Sequence, residues 1–402
     1  MIKKFRLCFL LSMVLACLST ANEKTVEIFL SDASLDAWNP VTNEVLFMRR
    51  DEDNIWQLYK VKADAKNPEE EKESLSLNPT NVIGVDASMI SRLHKGASDW
   101  HPSGSWFITE LEIPYNISWS SVPSTRLLAE PGAGWWNNLF LVKSDGSLWI
   151  KLTNFTASDL DSGVLYPKFS KDGKMVVWAE RIGGAKPFDE YPFARWVLKT
   201  AKMNWEANIP YLFDQKTHPL RDGAIFEPQE WGRDNKLLFA ADIGYSELPY
   251  PAYRIDIWEA EVSGEGEIKG LKNLTRSLDY YEEQSSYSPD GKNIAFMANL
   301  FDRGYERRLI RAWRRYKTKS NNFIIKNLFT DLYLMNRNGE VIERLTYFVE
   351  KNWQGHHPLV TRSAWSQDEK TVLIALTLRS NITGKKVDES IYILKMGSDQ
   401  AN

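Results

Sequence analysis

An alternation of apolar and polar positions around a tight turn recurs six times along this chain. In each copy an aromatic residue precedes a turn by a few residues, and a run of apolar and branched residues follows the turn. The clearest copy is 286–296, in which Tyr287 precedes Asp290-Gly291 and Ile294-Ala295-Phe296 follows. Asp-Gly supplies the positive backbone dihedral angles that hairpin turns need. Each copy therefore predicts a strand, a turn and a second strand.

Six aromatic anchors divide the chain into repeating units. They are 62, 69, 62, 56 and 78 residues apart and comprise Trp38, Trp100, Phe169, Trp231, Tyr287 and Trp365. A second hairpin follows in several units, as in 138–147 with the later Leu152-Thr153. Four-stranded sheets repeated radially form a β-propeller, because neighbouring sheets cover the faces that one sheet cannot bury alone. The sequence predicts an all-β, six-bladed propeller of four-stranded antiparallel blades, in a single domain over residues 22–402.

The two ends of the repeat predict how the ring closes. The last unit reaches only its third strand, at 390–396, and residues 25–30 form a strand that no other unit uses. We expect strand 25–30 to complete the sixth blade, because closure removes a sheet edge that could pair with other molecules.

The strand order places the longest insertions on one face of the propeller. The four strands of each blade are numbered outward from the axis. The connections between second and third strands then lie on the same face as the links between blades. The four longest connections, at 110–136, 180–196, 242–253 and 299–326, are of this kind. Long loops on a rigid scaffold often carry function. We therefore predict a binding face formed by Trp119, Trp135, Trp136, Tyr191, Trp196, Tyr250, Tyr253, Arg307, Arg311, Trp313 and Arg314.

These aromatic and basic residues have two interpretations. Aromatic rings stack on sugars or anchor protein partners, but they also cap blades and exclude water. The fifth insertion predicts a short amphipathic helix around 303–317, with Tyr305 and Leu309 on its apolar side. Its arginines either bind an acidic partner, an acidic glycan or lipid headgroups, or simply face solvent.

One repeat resembles a known family. Ser288-Pro289-Asp290-Gly291-Lys292, followed by Ile294-Ala295-Phe296 and a later Leu345-Thr346, resembles the WD-like repeat of TolB-type propellers. The resemblance spans about residues 25 to 400 and implies a six-bladed binding scaffold of the cell envelope. It covers the propeller only, since little chain precedes the first unit to form the small α/β domain found before the propeller in TolB.

The amino terminus has the pattern of a bacterial export signal. A basic start at 1–6 precedes an apolar run at 7–18, which is too short to span a bilayer, and then Ser19-Thr20-Ala21. We expect residues 1–21 to be a signal peptide, which predicts a periplasmic protein.

A lipoprotein signal is the alternative to a cleaved signal peptide. Val14-Leu15-Ala16-Cys17 resembles a lipobox, which implies a signal over 1–16 and a lipid on Cys17 of an outer-membrane lipoprotein. The only other cysteine, Cys8, also lies in the leader, so no disulfide is expected. A membrane partner is then expected only through this lipid or through the basic helix.

The composition limits the classes of partner that this chain is expected to bind. The chain has 402 residues and a formal net charge of −3, which does not favour nucleic acid. No Gly-x-Ser-x-Gly, P-loop or dinucleotide motif occurs, so neither catalysis nor a cofactor is predicted. The preferred interpretation is a non-catalytic periplasmic or cell-envelope propeller that binds an envelope protein or an acidic envelope glycan.

A polar cluster at the channel mouth supports an enzymatic alternative. Asp161, Asp279 and His357 each lie eight residues before an anchor, where the chain enters an innermost strand, and His356 adjoins His357. Such groups converging on the axis hold a divalent metal or a polar ligand, or they cap the blades by hydrogen bonds. Gln354-Gly355-His356-His357 also resembles oligogalacturonate lyases, which implies a related propeller with metal-dependent action on acidic oligosaccharides.

Overall fold

The described chain forms six blades around an axis. The computed structural model describes residues 24–113, 129–156, 162–183, 195–219, 225–245, 254–316, 328–383 and 385–397, without the side chains of 312–316. Each blade is an antiparallel sheet of four strands, which confirms the predicted six-bladed β-propeller.

The strands build the blades in chain order. Strand β1 (Val26–Leu30) precedes the first blade, which consists of β2 (Ser34–Trp38), β3 (Glu44–Arg50), β4 (Trp56–Lys62) and β5 (Glu73–Ser74). The second blade consists of β7 (Lys95–Trp100), β8 (Trp106–Glu112), β9 (Asn137–Lys143) and β10 (Leu148–Lys151). The short strand β6 (Asn81–Ile83) pairs in parallel with β10, at the outer edge of this blade. The third blade consists of β11 (Val164–Phe169), β12 (Met175–Arg181), β13 (Trp196–Asn204) and β14 (Tyr211–His218).

The remaining blades follow the same plan. The fourth blade consists of β15 (Phe226–Trp231), β16 (Lys236–Ala241), β17 (Asp256–Val262) and β18 (Ile268–Asn273). The fifth consists of β19 (Glu282–Tyr287), β20 (Asn293–Ala298), β21 (Asp331–Asn336) and β22 (Val341–Arg344), and the sixth of β23 (His356–Trp365), β24 (Thr371–Ser380), β25 (Lys386–Lys395) and β1. The described helices are α1 (Pro68–Glu71), α2 (Ala87–Ile90) and α3 (Tyr305–Tyr316), with a 3-10 turn at Phe348–Glu350. Within these ranges no helix has both the length and the hydropathy to cross a bilayer.

The ring closes through strand β1, as the sequence predicted. Strand β1 pairs antiparallel with β25, so that Val26 lies opposite Leu394 and Glu27 opposite Ile393. The Lys395 backbone N–H also donates to the Thr25 carbonyl at 3.2 Å. The first described strand thus supplies the outermost strand of the last blade.

The repeated turn is fixed by side-chain hydrogen bonds. In the third blade the Ser170 hydroxyl donates to the Asp172 carboxylate at 2.7 Å and accepts from the Met175 backbone N–H at 2.9 Å. The fifth and sixth blades repeat both bonds. His101 replaces the serine in the second blade, and its ring packs edge-on against Phe169 at 5.1 Å. The repeat therefore has a structural cause in the turn itself.

Apolar side chains fill the spaces between neighbouring blades. One core cluster joins Leu46 and Trp56 of the first blade to Trp100 and Phe107 of the second. Another joins Val177 of the third blade to residues of the fourth. Because each blade is covered by its neighbours, the aromatic anchors are needed in every unit.

The long connections lie where the sequence placed them. Residues 113–136, 182–195, 242–255 and 299–330 all connect second to third strands, in blades two to five. Helix α3 lies in the last of these connections, as predicted. Its Tyr305 and Leu309 are each 2% exposed and belong to the core cluster that contains Phe348. Arg307 and Arg311 are exposed, which confirms the amphipathic pattern.

Candidate functional site

A cavity of about 930 Å³ lies on the propeller axis. All six blades contribute to its wall through their innermost strands, with Asp36, Asp99, Lys168, Glu230, Gln284 and Arg362 as one example from each. Turns between first and second strands complete the wall, together with Arg337 of the turn between β21 and β22. Among the described residues none of the four long connections lines the cavity. The cavity therefore opens on the face of the short turns, opposite the predicted binding face.

A β-bulge in every blade directs polar side chains into this cavity. Each innermost strand shifts its register against the second strand just before the aromatic anchor. Tyr166 and Gln284, with φ of 49° and 51°, adopt a left-handed backbone conformation inside two of these bulges. Such a conformation costs a non-glycine residue about 1–3 kcal/mol and is common at functional sites. Bulges re-aim side chains, and here Asp36, Tyr166 and Gln229 line the cavity from them.

Most charges of the wall hold one blade to the next. The Asp99 carboxylate accepts from the Phe169 backbone N–H at 2.9 Å and lies 3.8 Å from the Lys168 ammonium. The Glu230 carboxylate accepts from the Tyr287 backbone N–H at 2.9 Å and from the Lys171 ammonium at 2.8 Å. These carboxylates already have hydrogen-bond partners in the neighbouring blade. Their first role is therefore to join the blades and not to bind a ligand.

Two cations of the wall use few of their donors among the described residues: the exposed Arg233 and the partly buried Arg362. The Nη1 atom of Arg362 donates to the Asp36 carbonyl at 3.1 Å and lies 3.9 Å from the Asp36 carboxylate, and the Arg362 guanidinium lies 5.0 Å from the centre of the Tyr166 ring. A guanidinium carries five N–H donors. Among the described residues only the Asp36 carbonyl accepts one of them. The side chain is 13% exposed and lines the cavity, so its other donors can reach a ligand.

The charge of Arg362 affects the pKa values of buried carboxyl groups near the cavity. Burial raises the pKa of Asp36 to about 6 and the pKa of Glu110 to about 8. Burial, together with the charge of Glu283, raises the pKa of Glu227 well above its usual range. The charge of Arg362 opposes all three rises. With these pKa values Glu110 is largely protonated at neutral pH, whereas Asp36, which lies 3.9 Å from Arg362, is largely ionised.

Several polar atoms of the wall are buried without a hydrogen-bond partner among the described residues. They are the Gln229 amide nitrogen, the Ser285 hydroxyl, Asp36 Oδ1 and the indole nitrogens of Trp100, Trp231 and Trp365. Buried polar groups in proteins nearly always have a partner. The wall therefore has hydrogen-bonding capacity that the described protein does not use.

Some aromatic residues of the predicted binding face are buried in the structure, and the others lie where the side chains are not described. Trp135, Trp136 and Trp196 are buried, and the Arg181 guanidinium lies 3.1 Å from the centre of the Trp135 ring. These three rings pack the blade ends and leave no exposed stacking surface. Outside the described residues lie Trp119, Tyr191, Tyr250 and Tyr253, together with Cys17 of the leader; Trp313 and Arg314 belong to α3, but their side chains are not described.

The predicted channel-mouth residues are held at blade entries. His357 is fully buried, with Nδ1 2.9 Å from Asn381 Oδ1, and His356 Nδ1 lies 2.9 Å from the Trp353 carbonyl oxygen. Asp279 is exposed, and Asp161 lies outside the described residues. Where the chain is described, no three His, Cys, Asp or Glu side chains come together to hold a metal.

The sequence contains a signal for the axial site in addition to the aromatic repeat. Asp99, Lys168 and Glu230 immediately precede the aromatic anchors of three consecutive units, and Arg362 stands three residues before the last anchor. A charged side chain in a predicted innermost strand faces either the core between blades or the propeller axis. Because an apolar core excludes charges, such a side chain is expected to face the axis. The channel-mouth candidates Asp161, Asp279 and His357 lie eight residues before their anchors, and that spacing does not include Arg362.

Comparisons with known proteins give only distant similarities. No protein-family model and no curated protein matches this chain. Matches among solved structures include an oligogalacturonate lyase in complex with manganese, at 9% identity and TM-score 0.45, covering 93% of this chain and 97% of that one. A puromycin-hydrolyzing peptidase of Mycobacterium tuberculosis matches at 10% identity and TM-score 0.45, covering 90% of this chain and 53% of that one.

The peptidases among these structures are larger than this chain. A prolyl endopeptidase matches at 11% identity and TM-score 0.43, covering 91% of this chain but only 43% of that one. The chain thus spans about half the length of the peptidases it matches. These similarities are too distant to assign an activity or a site.

Proposed function

We propose that this propeller is a non-catalytic binding protein that receives an acidic oligosaccharide in its axial cavity. One observation carries the proposal: Arg362 lines the cavity with one of its five donors engaged by the described protein. A guanidinium pairs with a carboxylate in a planar, two-bonded geometry, and such charge-assisted bonds are the strong ones. Arg362 is the anchor for a uronate carboxylate.

The composition of the wall favours a sugar over an apolar or peptide ligand. Among the described residues the cavity is lined mainly by hydroxyl, amide and charged side chains and by aromatic rings, with four prolines and two alanines but without Leu, Ile, Val or Met. Small-molecule pockets commonly occupy about 300–1,000 Å³, and this cavity of about 930 Å³ lies at the upper end. A few sugar residues fit that volume, and their hydroxyls suit the buried amide and hydroxyl groups of the wall.

The proposed setting is the bacterial periplasm or the cell envelope. It is supported by the basic and apolar pattern of residues 1–21, which lie outside the described part of the chain. An exported protein with a cavity for acidic sugars would meet envelope glycans.

Calorimetric titration of the purified protein with short oligogalacturonates tests this function. We expect binding of the acidic oligosaccharide and none of a neutral oligosaccharide of equal length. Arg362→Gln should weaken binding by roughly ten- to a hundredfold, because it removes one charge-assisted hydrogen-bonded pair. Arg49→Gln is the matched control, since Arg49 pairs with Glu69 at 2.7 Å and does not line the cavity.

Two results would replace the proposal. Equal affinity of Arg362→Gln and the parent protein would remove the axial site from the account. A rise in the ultraviolet absorbance of unsaturated products during incubation with oligogalacturonate would show cleavage, and the lyase alternative would then take the place of pure binding.

A further inference from the structure

A second surface with its own chemistry lies on the face of the long connections, at the fifth and sixth blades. It consists of three exposed arginines, at 303, 307 and 311, and of three exposed apolar side chains, Phe301, Tyr347 and Ile382. We call it the basic-apolar patch. It lies on the face opposite the mouth of the axial cavity.

Helix α3 is fixed to the propeller, so its arginines have a defined position. Tyr305 and Leu309 are buried in the core between the fifth and sixth blades. The buried Arg254 lies 3.4 Å from the Glu306 carboxylate, and Arg308 forms an ion pair with Asp302 just before the helix. The helix therefore holds its basic side outward.

The exposed cations of this region exceed the exposed free carboxylates. Arg303, Arg307 and Arg311 form no ion pair with any described residue, and Lys351 and Lys385 on the same face form none either. The carboxylates beside the helix are already paired: Asp302 with Arg308, Glu306 with Arg254 and Glu350 with Arg344. Asp279 is the exposed carboxylate of this region without an ion pair among the described residues. The patch therefore carries a net positive charge.

The apolar members of the patch come from three separate connections. Phe301 is 38% exposed and Tyr347 55% exposed, and both rings flank the Arg344 guanidinium, at 5.5 and 4.5 Å. Ile382, at the tip of the turn between β24 and β25, is 82% exposed. Its neighbour Asn381 is tied to the blade entry by a backbone bond of 3.0 Å to the Gly355 carbonyl. All three side chains therefore project on the same face as α3.

We propose that the basic-apolar patch docks this protein onto a membrane surface of anionic lipid. Guanidinium groups bind phosphate headgroups, and aromatic and aliphatic side chains beside them enter the interface between headgroups and acyl chains. The patch offers both kinds of side chain on one face, which is the combination that a lipid surface needs. The docked propeller would turn the mouth of the axial cavity away from the membrane, toward soluble ligands.

Vesicle sedimentation of the purified protein tests the docking. We expect partitioning onto mixed phosphatidylcholine–phosphatidylglycerol vesicles and little onto pure phosphatidylcholine vesicles. The triple variant Arg303→Gln, Arg307→Gln, Arg311→Gln should lose affinity by roughly a hundredfold, because each basic residue near an anionic surface adds to the free energy of membrane binding. Ile382→Ser should weaken partitioning several-fold at unchanged charge.

A matched control removes the same charge from the other face. Lys174, Lys292 and Lys370 are exposed lysines of the repeated Asp-Gly or Asp-Glu turns, and their change to Gln should leave partitioning unchanged. Equal losses in both triple variants, or equal partitioning onto the two kinds of vesicle, would overturn the proposal. So would binding to poly-aspartate that is as tight as binding to the mixed vesicles, since it would identify an acidic protein as the partner.

Discussion

At the scale of single residues, Arg362 and Asp36 form a charge pair at the wall of the axial cavity. They belong to the last and first blades, and the hydrogen bond from Arg362 to the Asp36 carbonyl spans the junction where the ring closes. Burial raises the pKa of Asp36 to about 6 although Arg362 opposes the rise. The site therefore changes its net charge within the range of pH at which binding is measured.

Binding of an acidic ligand should strengthen as the pH falls from 7.5 to 5. Asp36 loses its negative charge over this interval, whereas the uronate carboxylate stays ionised, so Arg362 becomes free to pair with the ligand. We expect a gain in affinity of roughly tenfold, from the loss of one nearby like charge. Above pH 8 the ionisation of Glu110, whose pKa is about 8, should weaken binding further.

The variant Asp36→Asn isolates this effect. It keeps an acceptor for the Ser98 hydroxyl, which donates to Asp36 at 2.8 Å, and removes the charge. Calorimetric titrations should give an affinity at pH 7.5 close to that of the parent protein at pH 5. An Asp36→Asn variant with the parent's dependence on pH between 5 and 7.5 would assign the titration to another group.

Single residues of the site were predicted less well than their surroundings. The aromatic anchors were found because they repeat, but Arg362 occurs in one blade only and no repeat marks it. Trp135, Trp136 and Trp196 are predicted members of the binding face because they lie in long insertions, and the structure buries all three. The sequence shows that a ring lies in a loop, but not whether the loop folds back over it.

At the scale of secondary-structure elements, the strands followed from the sequence and the bulges did not. Alternation with a period of two identifies a strand and its turn, as in β19 and β20. A bulge adds one residue to one strand, and that addition depends on the partner strand. Consequently the pattern predicted six innermost strands but not which of their side chains face the axis.

The contribution of strand β1 to the stability of the closed ring can be measured. The Lys395–Thr25 bond and the antiparallel register make Glu27 and Ile393 the next hydrogen-bonded pair. Glu27→Pro should lower the free energy of unfolding by about 1–3 kcal/mol, because it removes a backbone donor from the sixth blade. Urea denaturation monitored by tryptophan fluorescence gives this value.

Glu27→Ala is the control for this closure. It removes the same exposed side chain and its ion pair with Lys395, at 3.6 Å, but keeps the backbone donor. Exposed ion pairs contribute between about 0 and 1 kcal/mol, so Glu27→Ala should be nearly as stable as the parent. Equal stability of the two variants would mean that strand β1 does not hold the ring closed.

At the scale of the whole molecule, the propeller presents two different faces. The short turns surround the mouth of the axial cavity, and the long connections carry α3 and the basic-apolar patch. The sequence predicted the six blades, their closure and the face of the long connections, because strand order alone fixes these features. It did not predict the face on which the cavity opens, because that depends on the side chains that fill the axis.

A crystal structure of the protein with bound trigalacturonate would locate the bound ligand. We expect sugar density inside the axial cavity, with a uronate carboxylate within hydrogen-bond distance of the Arg362 guanidinium. Ligand bound on the face of the long connections, with Arg362 still engaged only by Asp36, would contradict the proposed axial site.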